Sequence, residues 1–488
     1  MKRKNAIIGS GIAGIALSIR LALRGEAVTV FESNTTAGGK IAQMQWEGFR
    51  FDMGPSLFTL PELVEELFVE AGATPTLPYS QLERITQYFW EDGTQLYAYA
   101  EPDHFVEELA QKLNEDAHAL RIFLRQSAEL YDLTADLFLH RSLHKASTYL
   151  NAKALRGILN VHKLDAFRTM HRANARRFRN PKTVQLFDRY ATYNGSDPYQ
   201  APATLNIIAH LEHNLGAFFP DQGMYAIVRS LQGLAESLGV DFQFGQAVDE
   251  ILLHPGSRQV SGLRLGKERL SFDRVISNMD IVNTYQKLLP DAAHPKHLLR
   301  QPKSSSGLIF YWAIRGTFPE LDLHNIFFAQ DYAQEFGQLF RENGISDDPT
   351  VYLFVSQKHC PQDAPKGHEN WFVMINTPPD TGQDWEKLRD RARQSILQKL
   401  KKRLDCSDLE TRILHEEVLD PQGIAHRTSS LGGSLYGNSS NNPFAAFLRH
   451  PNFSSRYPGL FFCGGSVHPG GGIPLCLLSA KITAELMG

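Results

Sequence analysis

The stretch Asn5-Ala6-Ile7-Ile8-Gly9-Ser10-Gly11-Ile12-Ala13-Gly14, continued by an apolar helical run and by Ala27-Val28-Thr29-Val30-Phe31-Glu32, decides the fold class of this 488-residue chain. It reads as a buried strand, a glycine turn, a helix and a second strand ending in an acid, the opening of a dinucleotide-binding βαβ unit in an α/β, Rossmann-like domain. Gly9 lets the chain turn out of the first strand, Gly11 lets backbone approach a pyrophosphate, and Gly14 lets helix and strand pack closely. Phosphates would sit on the helix N-terminus, where free N–H groups and the dipole favour negative charge, with Ile12 and Ala13 as the first residues facing them. Glu32, 18 residues past Gly14, is the candidate for the ribose hydroxyls. Met1-Lys2-Arg3-Lys4 and the apolar stretch to Ile19 imitate a secretory leader, but three glycines with Arg20 and Arg24 break the apolar run that a leader needs.

Composition narrows the classes further. Lys and Arg total 50 against 53 Asp and Glu, and a net charge of −3 gives no polyelectrolyte argument for nucleic acid. Cys360, Cys406, Cys463 and Cys476 are widely spaced with no CxxC pair, so they read as reduced packing residues rather than a disulfide frame or a metal site. No run of 18 apolar residues is present, so any membrane association is expected to be peripheral.

Along the chain, Gly38-Gly39-Lys40 and Phe51-Asp52-Met53-Gly54-Pro55-Ser56 follow the ribose-binding acid closely, as expected of backbone passing along one extended cofactor. Lys40 or Arg50 is the cation available to phosphate or to the reduced ring of a flavin; a solvated loop charge is the alternative for Lys40. Helical spacing is read over 60–76, and an aromatic hairpin turning at Asp92-Gly93 over 87–97. From 103 to about 190 the pattern is helical, with two basic and apolar stretches, Leu137 to Lys145 and His171 to Arg179, read as solvated faces or as a membrane-contact patch. His140 and His144 lack the Glu of an HExxH motif and are not expected to bind metal. Strands are expected at 240–244, 247–253, 261–265 and 274–277, then three aromatic strands at 307–314, 350–355 and 371–376 that could wall a long pocket, and a helix over 384–404. The last segment is a buried strand running into Gly464-Gly465-Ser466, and a loop with His468 and Gly470-Gly471-Gly472-Ile473-Pro474 that opens a terminal helix. That is a second backbone nest suited to the far end of the same cofactor. His468 is read as a base near the ring or as a residue that orders the loop.

Taken together, the N-terminal glycine unit, Gly38-Gly39-Lys40, the 51–56 segment, Phe219-Pro220-Asp221-Gln222-Gly223-Met224, Val275 to Asp280 and Cys463 to Pro474 resemble the bacterial carotenoid desaturases, the phytoene-desaturase-like branch of the FAD-dependent amine oxidase superfamily. The likeness runs end to end, and Gly54 to Pro61 is most similar to the hydroxycarotenoid 3,4-desaturases. The resemblance implies a discontinuous FAD-binding domain from 1–80, 215–285 and 416–488, a mixed β-sheet substrate domain from 81–102 and 286–415, and a helical, membrane-facing cap from 103–214. It implies that Gly9, Gly11, Ile12, Ala13, Gly14, Glu32, Gly38, Gly39 and Lys40 hold FAD from one side, with Gly54, Pro55 and Ser56 below the ring. Val248, on the strand expected over 247–253 after a mid-chain helix read from Ala226 to Ser237, would meet the adenine through its backbone, and Gly464, Gly465, Ser466, Gly472 and Ile473 would flank pyrophosphate and isoalloxazine. Lys40 stands where Arg is frequent in related flavoproteins, which removes a bidentate contact. No proton acceptor is carried over.

The implied activity is hydride removal to flavin from a hydroxylated acyclic or monocyclic carotenoid, forming the 3,4 double bond, in a cytoplasmic protein held on the inner face of the cell membrane. The electron acceptor that reoxidises the flavin is left open. A phytoene or diapophytoene desaturase, an isomerase or saturase on the same frame, and a non-catalytic prenyl- or carotenoid-binding escort are the alternatives.

Overall fold

The computed structural model describes residues 2–145, 148, 165–289 and 294–488. Lys4–Ile8 is the centre of a five-stranded parallel sheet ordered Leu460–Phe462, Arg274–Ser277, Lys4–Ile8, Ala27–Glu32, Asp241–Phe244. The first helix, Ile12–Leu23, connects the two central strands, and its length is nearly all buried because Ala, Ile and Leu occupy every side of it. Three of the five strands come from beyond residue 240, so this layer closes only when distant chain segments meet.

A seven-stranded sheet forms the second layer, ordered Ile413–Leu419, Ser306–Arg315, His368–Thr377, Val351–Phe354, His324–Phe327, Arg84–Phe89, Gln95–Tyr99. Its strands alternate in what they bury, as the pleat requires. On Ser306–Arg315, Leu308, Phe310, Trp312 and Ile314 pack with Ile396 and Leu400 of helix Trp385–Arg403, while Ile309, Tyr311 and Ala313 join the main core. The boundary expected at 415/416 falls inside strand Ile413–Leu419, which belongs to this sheet. Strands Glu250–Leu253, Val260–Leu265 and Glu268–Ser271 make a separate antiparallel sheet, and Arg274–Ser277 belongs to the parallel sheet. Val248 precedes the strand rather than standing on it, because pairing with Val260–Leu265 begins only at Glu250.

Helices Pro102–Leu113, Ala117–Phe138, Met170–Arg177, Pro181–Asp188 and Ile207–His213 lie in the stretch expected to be a cap; its residues 146, 147 and 149–164 lie outside the described ones. The helix expected over 60–76 is the shorter Glu62–Glu70, ended by Ala71-Gly72. No helix among the described residues is long and apolar enough to cross a membrane. All four cysteines are free.

One buried ionic junction joins three segments. Asp52, at the end of strand Phe49–Asp52, accepts hydrogen bonds from the backbone N–H groups of Met224 and Tyr225 at 3.0 and 3.1 Å and so caps helix Tyr225–Ser237. Arg50 bridges Asp52 at 2.9 Å and Asp363 at 2.5 Å. Both carboxylates are buried, so Arg50→Leu leaves two unpaired charges, and a loss of about 3–5 kcal/mol is expected, read as a lower midpoint in thermal and urea unfolding.

Candidate cofactor and substrate site

A cavity of about 1480 Å³ runs between the parallel sheet, the seven-stranded sheet and the helical segment. That exceeds the roughly 300–1,000 Å³ that suits one small ligand. Its wall carries Gly9, Gly11, Ile12, Ala13 and Glu32 from the first βαβ unit, and Gly38, Gly39, Lys40, Gly54, Pro55 and Ser56 from the loops that follow. Val248 contributes from mid-chain, and Gly465, Ser466, Gly472 and Ile473 from the C-terminal loop. Gly14 and Gly464 do not face the cavity; both pack on Asn278.

Asn278, which continues strand Arg274–Ser277, explains the spacing of the glycines. Its Nδ2 donates to the Gly9 carbonyl at 3.2 Å. A Cβ added to Gly11 would lie 2.8 Å from the same Nδ2, and one on Gly464 would lie 2.5 Å from Oδ1. A Cβ on Gly14 would run into the Gly9 carbonyl oxygen. Gly9 itself has φ of +94°, a region that costs a side chain and not a glycine. The second loop docks on the first through the Gly38 N–H, which donates to Ser10 O at 2.9 Å.

The polar groups suit an anionic dinucleotide. Helix Ile12–Leu23, capped by Gly11, and helix Ile473–Met487, capped by Gly472, both begin at the cavity with no side-chain cap and no acid in the first turn. Other helices carry side-chain caps, from Glu101, Asp116, Thr169, Asn180, Asp331, Asp384 and Asp420, whereas Glu62–Glu70 and Ile207–His213 carry none. Two positive helix ends are thus left for a ligand. Beyond Gly472, at φ +109°, no atom lies within 4 Å of where a Cβ would stand, so the backbone itself fronts open space. The Glu32 carboxylate is held in place by Ser10 N–H and Oγ, both at 2.8 Å, and by Asn34 N–H at 2.9 Å. This fixes the orientation of a carboxylate on the cavity wall.

Lys40 and Arg449 are two of the cations that face the same space. Lys40 Nζ donates to the carbonyls of Ser434 and Leu435 at 2.7 Å, and burial brings its pKa down to about 8 against the opposing pull of Asp280. Arg449, 3% exposed, has no carboxylate partner among the described residues and only long contacts to Asn194 and Ser440; burial lowers its pKa to about 10. The sequence offered no signal for Arg449. Arg50, read as a candidate for phosphate or flavin, is instead spent on Asp52 and Asp363 and lies off the cavity wall. His468 is also off the wall; its Nε2 hydrogen-bonds the Arg141 carbonyl at 2.8 Å, and burial lowers its pKa to about 4, so it orders the loop. Among the described residues no group of three His, Cys, Asp or Glu side chains could hold a metal.

The remainder of the wall is largely apolar. Ile309, Phe372 and Met374 come from the seven-stranded sheet, and Tyr131, Phe138 and Leu205 from the helical segment. The stretch Leu137 to Lys145 therefore turns partly inward, with Phe138 and Leu139 on the wall, while Arg172, Arg176 and Arg179 of the second basic stretch are exposed.

The family model for flavin-containing amine oxidoreductases matches residues 12–487. The chain belongs to that family. Its cofactor is FAD, and the glycine loops, the uncapped helix ends and the two cations fit that group. A 1-hydroxycarotenoid 3,4-desaturase from Flavobacterium sp. (strain P99-3) is 48% identical over 487 residues, covering 99% of each chain. A 4,4'-diaponeurosporene oxygenase from Staphylococcus aureus (strain Mu50 / ATCC 700699) is 31% identical over 497 residues, covering 99% of this chain and 98% of that one. Among solved structures, a putrescine oxidase double mutant redesigned in its cofactor binding superposes with a TM-score of 0.65 at 14% identity, over 100% of this chain and 99% of that one. A cyclohexylamine oxidase from Brevibacterium oxydans IH-35A gives 0.61 at 15%, over 100% and 99%. At such identities these structures speak for the fold.

Two outcomes test the site. Gly14→Ala forces the Gly9 carbonyl away from Asn278, and the variant is expected to lose about 1–3 kcal/mol of stability together with bound flavin, read from thermal melts and flavin absorbance. For Lys40 the charged form is the one that meets phosphate or an electron-rich ring, so FAD binding takes up a proton above the pKa of about 8 in the flavin-free protein. Affinity, measured by flavin fluorescence, should be level below pH 8 and weaken by up to about tenfold per pH unit above it, with the slope abolished in Lys40→Gln.

Proposed function

We propose that this enzyme is a carotenoid desaturase that introduces the 3,4 double bond into a 1-hydroxylated acyclic or monocyclic carotenoid. The observation that carries the reading is the joining, in one cavity, of the N-terminal and C-terminal glycine loops with an apolar sheet and helix wall in a chain 48% identical to a 1-hydroxycarotenoid 3,4-desaturase. When bound, FAD supplies a two-electron acceptor for the hydride of an allylic C–H. Gly9, Gly11, Ile12, Ala13, Glu32, Gly38, Gly39 and Lys40 would hold its nucleotide half, with Gly14 and Gly464 shaping the loops from behind. Gly54, Pro55, Ser56, Gly465, Ser466, Gly472 and Ile473 would lie along the ring, and Val248 along the adenine.

The division of labour we assign follows the same lines. The segments 1–80, 215–285 and those after strand Ile413–Leu419 hold the cofactor, the seven-stranded sheet holds the polyene, and 103–214 covers it. Ile309, Phe372 and Met374 offer a hydrocarbon-like wall that aligns an extended chain and keeps water from the reacting carbons. The polyene delocalises charge developing at the allylic carbon, so the wall needs to position more than to titrate.

We also propose that the protein takes its substrate from the anionic inner face of the cell membrane. Phe167 and Phe444, 85% and 56% exposed with ring centroids 6.4 Å apart, both line the cavity, and the exposed Arg172 and Arg176 stand on the helix that follows. An exposed aromatic pair at the cavity wall beside cations suits a lipid headgroup surface.

Supplied with FAD and a 1-hydroxylated acyclic carotenoid, the purified protein should move polyene absorption to longer wavelength and yield a product lighter by two hydrogens. A product heavier by an oxygen atom, or no change with any hydroxylated carotenoid, contradicts the reading. In co-sedimentation, anionic vesicles should retain the wild type more than zwitterionic ones and more than they retain Phe167→Ser/Phe444→Ser; equal retention contradicts the membrane reading.

A further inference from the structure

The seven-stranded sheet brings both apolar and polar side chains to the cavity wall. Strands Ser306–Arg315 and His368–Thr377 present Ile309, Phe372, Met374 and Asn376, and the next three in the sheet, Val351–Phe354, His324–Phe327 and Arg84–Phe89, present Tyr352, His324, Ile326 and Thr86. The Tyr352 hydroxyl hydrogen-bonds Ser56 Oγ at 2.6 Å on one side and His324 Nδ1 at 2.8 Å on the other. His324 is 3% exposed, and its Nε2 has no hydrogen-bond partner. Burial brings its pKa down to about 3, so the imidazole is neutral.

One pair of opposite charges also faces the cavity. Arg189 lies 3.5 Å from the Glu212 carboxylate, which also accepts a hydrogen bond from the Tyr193 hydroxyl at 2.7 Å, and all three residues line the cavity. A purely structural network, one that only fastens the helical segment to the sheet, would close on itself and need no face on the cavity. Here Ser56 and Tyr352 both front the cavity and His324 keeps an unused nitrogen.

We propose that Ser56, Tyr352 and His324 form a subsite for a neutral alcohol, which reads the hydroxyl of the carotenoid end group and selects which end of the polyene enters. An alcohol both donates and accepts, so it can complete the spare capacity of the Ser56 and Tyr352 hydroxyls, whichever way their protons point. A carboxylate end would meet the Glu212 carboxylate, to which the adjacent Arg189 is already paired, and a plain hydrocarbon end would leave the spare lone pairs of the hydroxyls unanswered. Ser56 belongs to the loop assigned to the flavin ring, and in a 1-hydroxylated substrate the alcohol stands two carbons from C3. One loop thus serves both the hydroxyl and the reacting bond. Tyr352 and Ser56 touch the substrate, whereas His324 is a positioning residue that fixes the Tyr352 hydroxyl.

The inference rests on the desaturase reading and is tested on the FAD-loaded full chain. A 1-hydroxylated acyclic carotenoid and its non-hydroxylated counterpart of equal conjugation are compared by quenching of protein fluorescence and by kcat and KM. Tyr352→Phe should raise Kd and KM for the hydroxylated carotenoid about 10- to 100-fold while shifting the counterpart by less than about twofold, with flavin content unchanged. His324→Phe should lose the same preference, and His324→Gln, which can still hydrogen-bond Tyr352, should recover much of it. Equal weakening toward both carotenoids, or none toward the hydroxylated one, overturns the subsite. If the wild type desaturates neither carotenoid yet binds the alcohol preferentially through Tyr352, the desaturase reading falls and the subsite stands; desaturation of both without preference has the opposite meaning.

Discussion

The carboxamide of Asn278 is the contact on which the rest of the site depends. It follows the strand that lies between Lys4–Ile8 and Leu460–Phe462, so it stands where the N-terminal and C-terminal glycine loops leave the same sheet. Its side chain holds the Gly9 carbonyl and occupies the space that a Cβ on Gly11 or Gly464 would need. The Ser277 carbonyl beside it accepts the Cys463 N–H at 3.1 Å, and the Ser466 hydroxyl accepts the Ile281 N–H at 3.0 Å. Segments almost the full chain length apart are thereby fixed against one small amide. Loop closure over such separations is entropically costly, and strand pairing on both sides of Arg274–Ser277 offsets that cost.

With the loops fixed, electrostatics decides what they hold. Two helices start at the cavity without the carboxylate or hydroxyl caps found on other helices of the chain, and Lys40 and Arg449 sit in surroundings that depress their basicity. Each is a cost to the protein alone and a gain once an anion or an electron-rich ring lies against it. The opposite wall, built from alternate residues of a sheet whose other face is sealed by Trp312, Phe310 and helix Trp385–Arg403, is free to be apolar because that second core carries the stability.

Much of this was legible in the residues, for physical reasons. The glycines from Gly9 to Gly14, the Glu32 strand end and the Gly464 to Gly472 loop are local devices, each recognisable from its own neighbours. The aromatic strands announced a wall for the same reason, since period-two patterns need only a few residues. What local patterns miss is pairing across the fold. Nothing near Arg50 in sequence says that Asp363 will claim it, and the pairing with Val260–Leu265 that leaves Val248 off the strand is set by the partner, not by the residues around Val248. Arg449, Tyr352 and His324 acquire meaning only when the seven-stranded sheet and the C-terminal loop meet around one cavity.

Hydrogen–deuterium exchange during a titration with FAD tests the central claim, that the two glycine loops form one clamp. Amides in 9–14, 38–41 and 464–473 should gain protection together along a single binding curve, and in Asn278→Ala the C-terminal segment should fall out of step. Protection confined to the N-terminal loops of the wild type, with 464–473 unchanged at saturating FAD, would contradict the account.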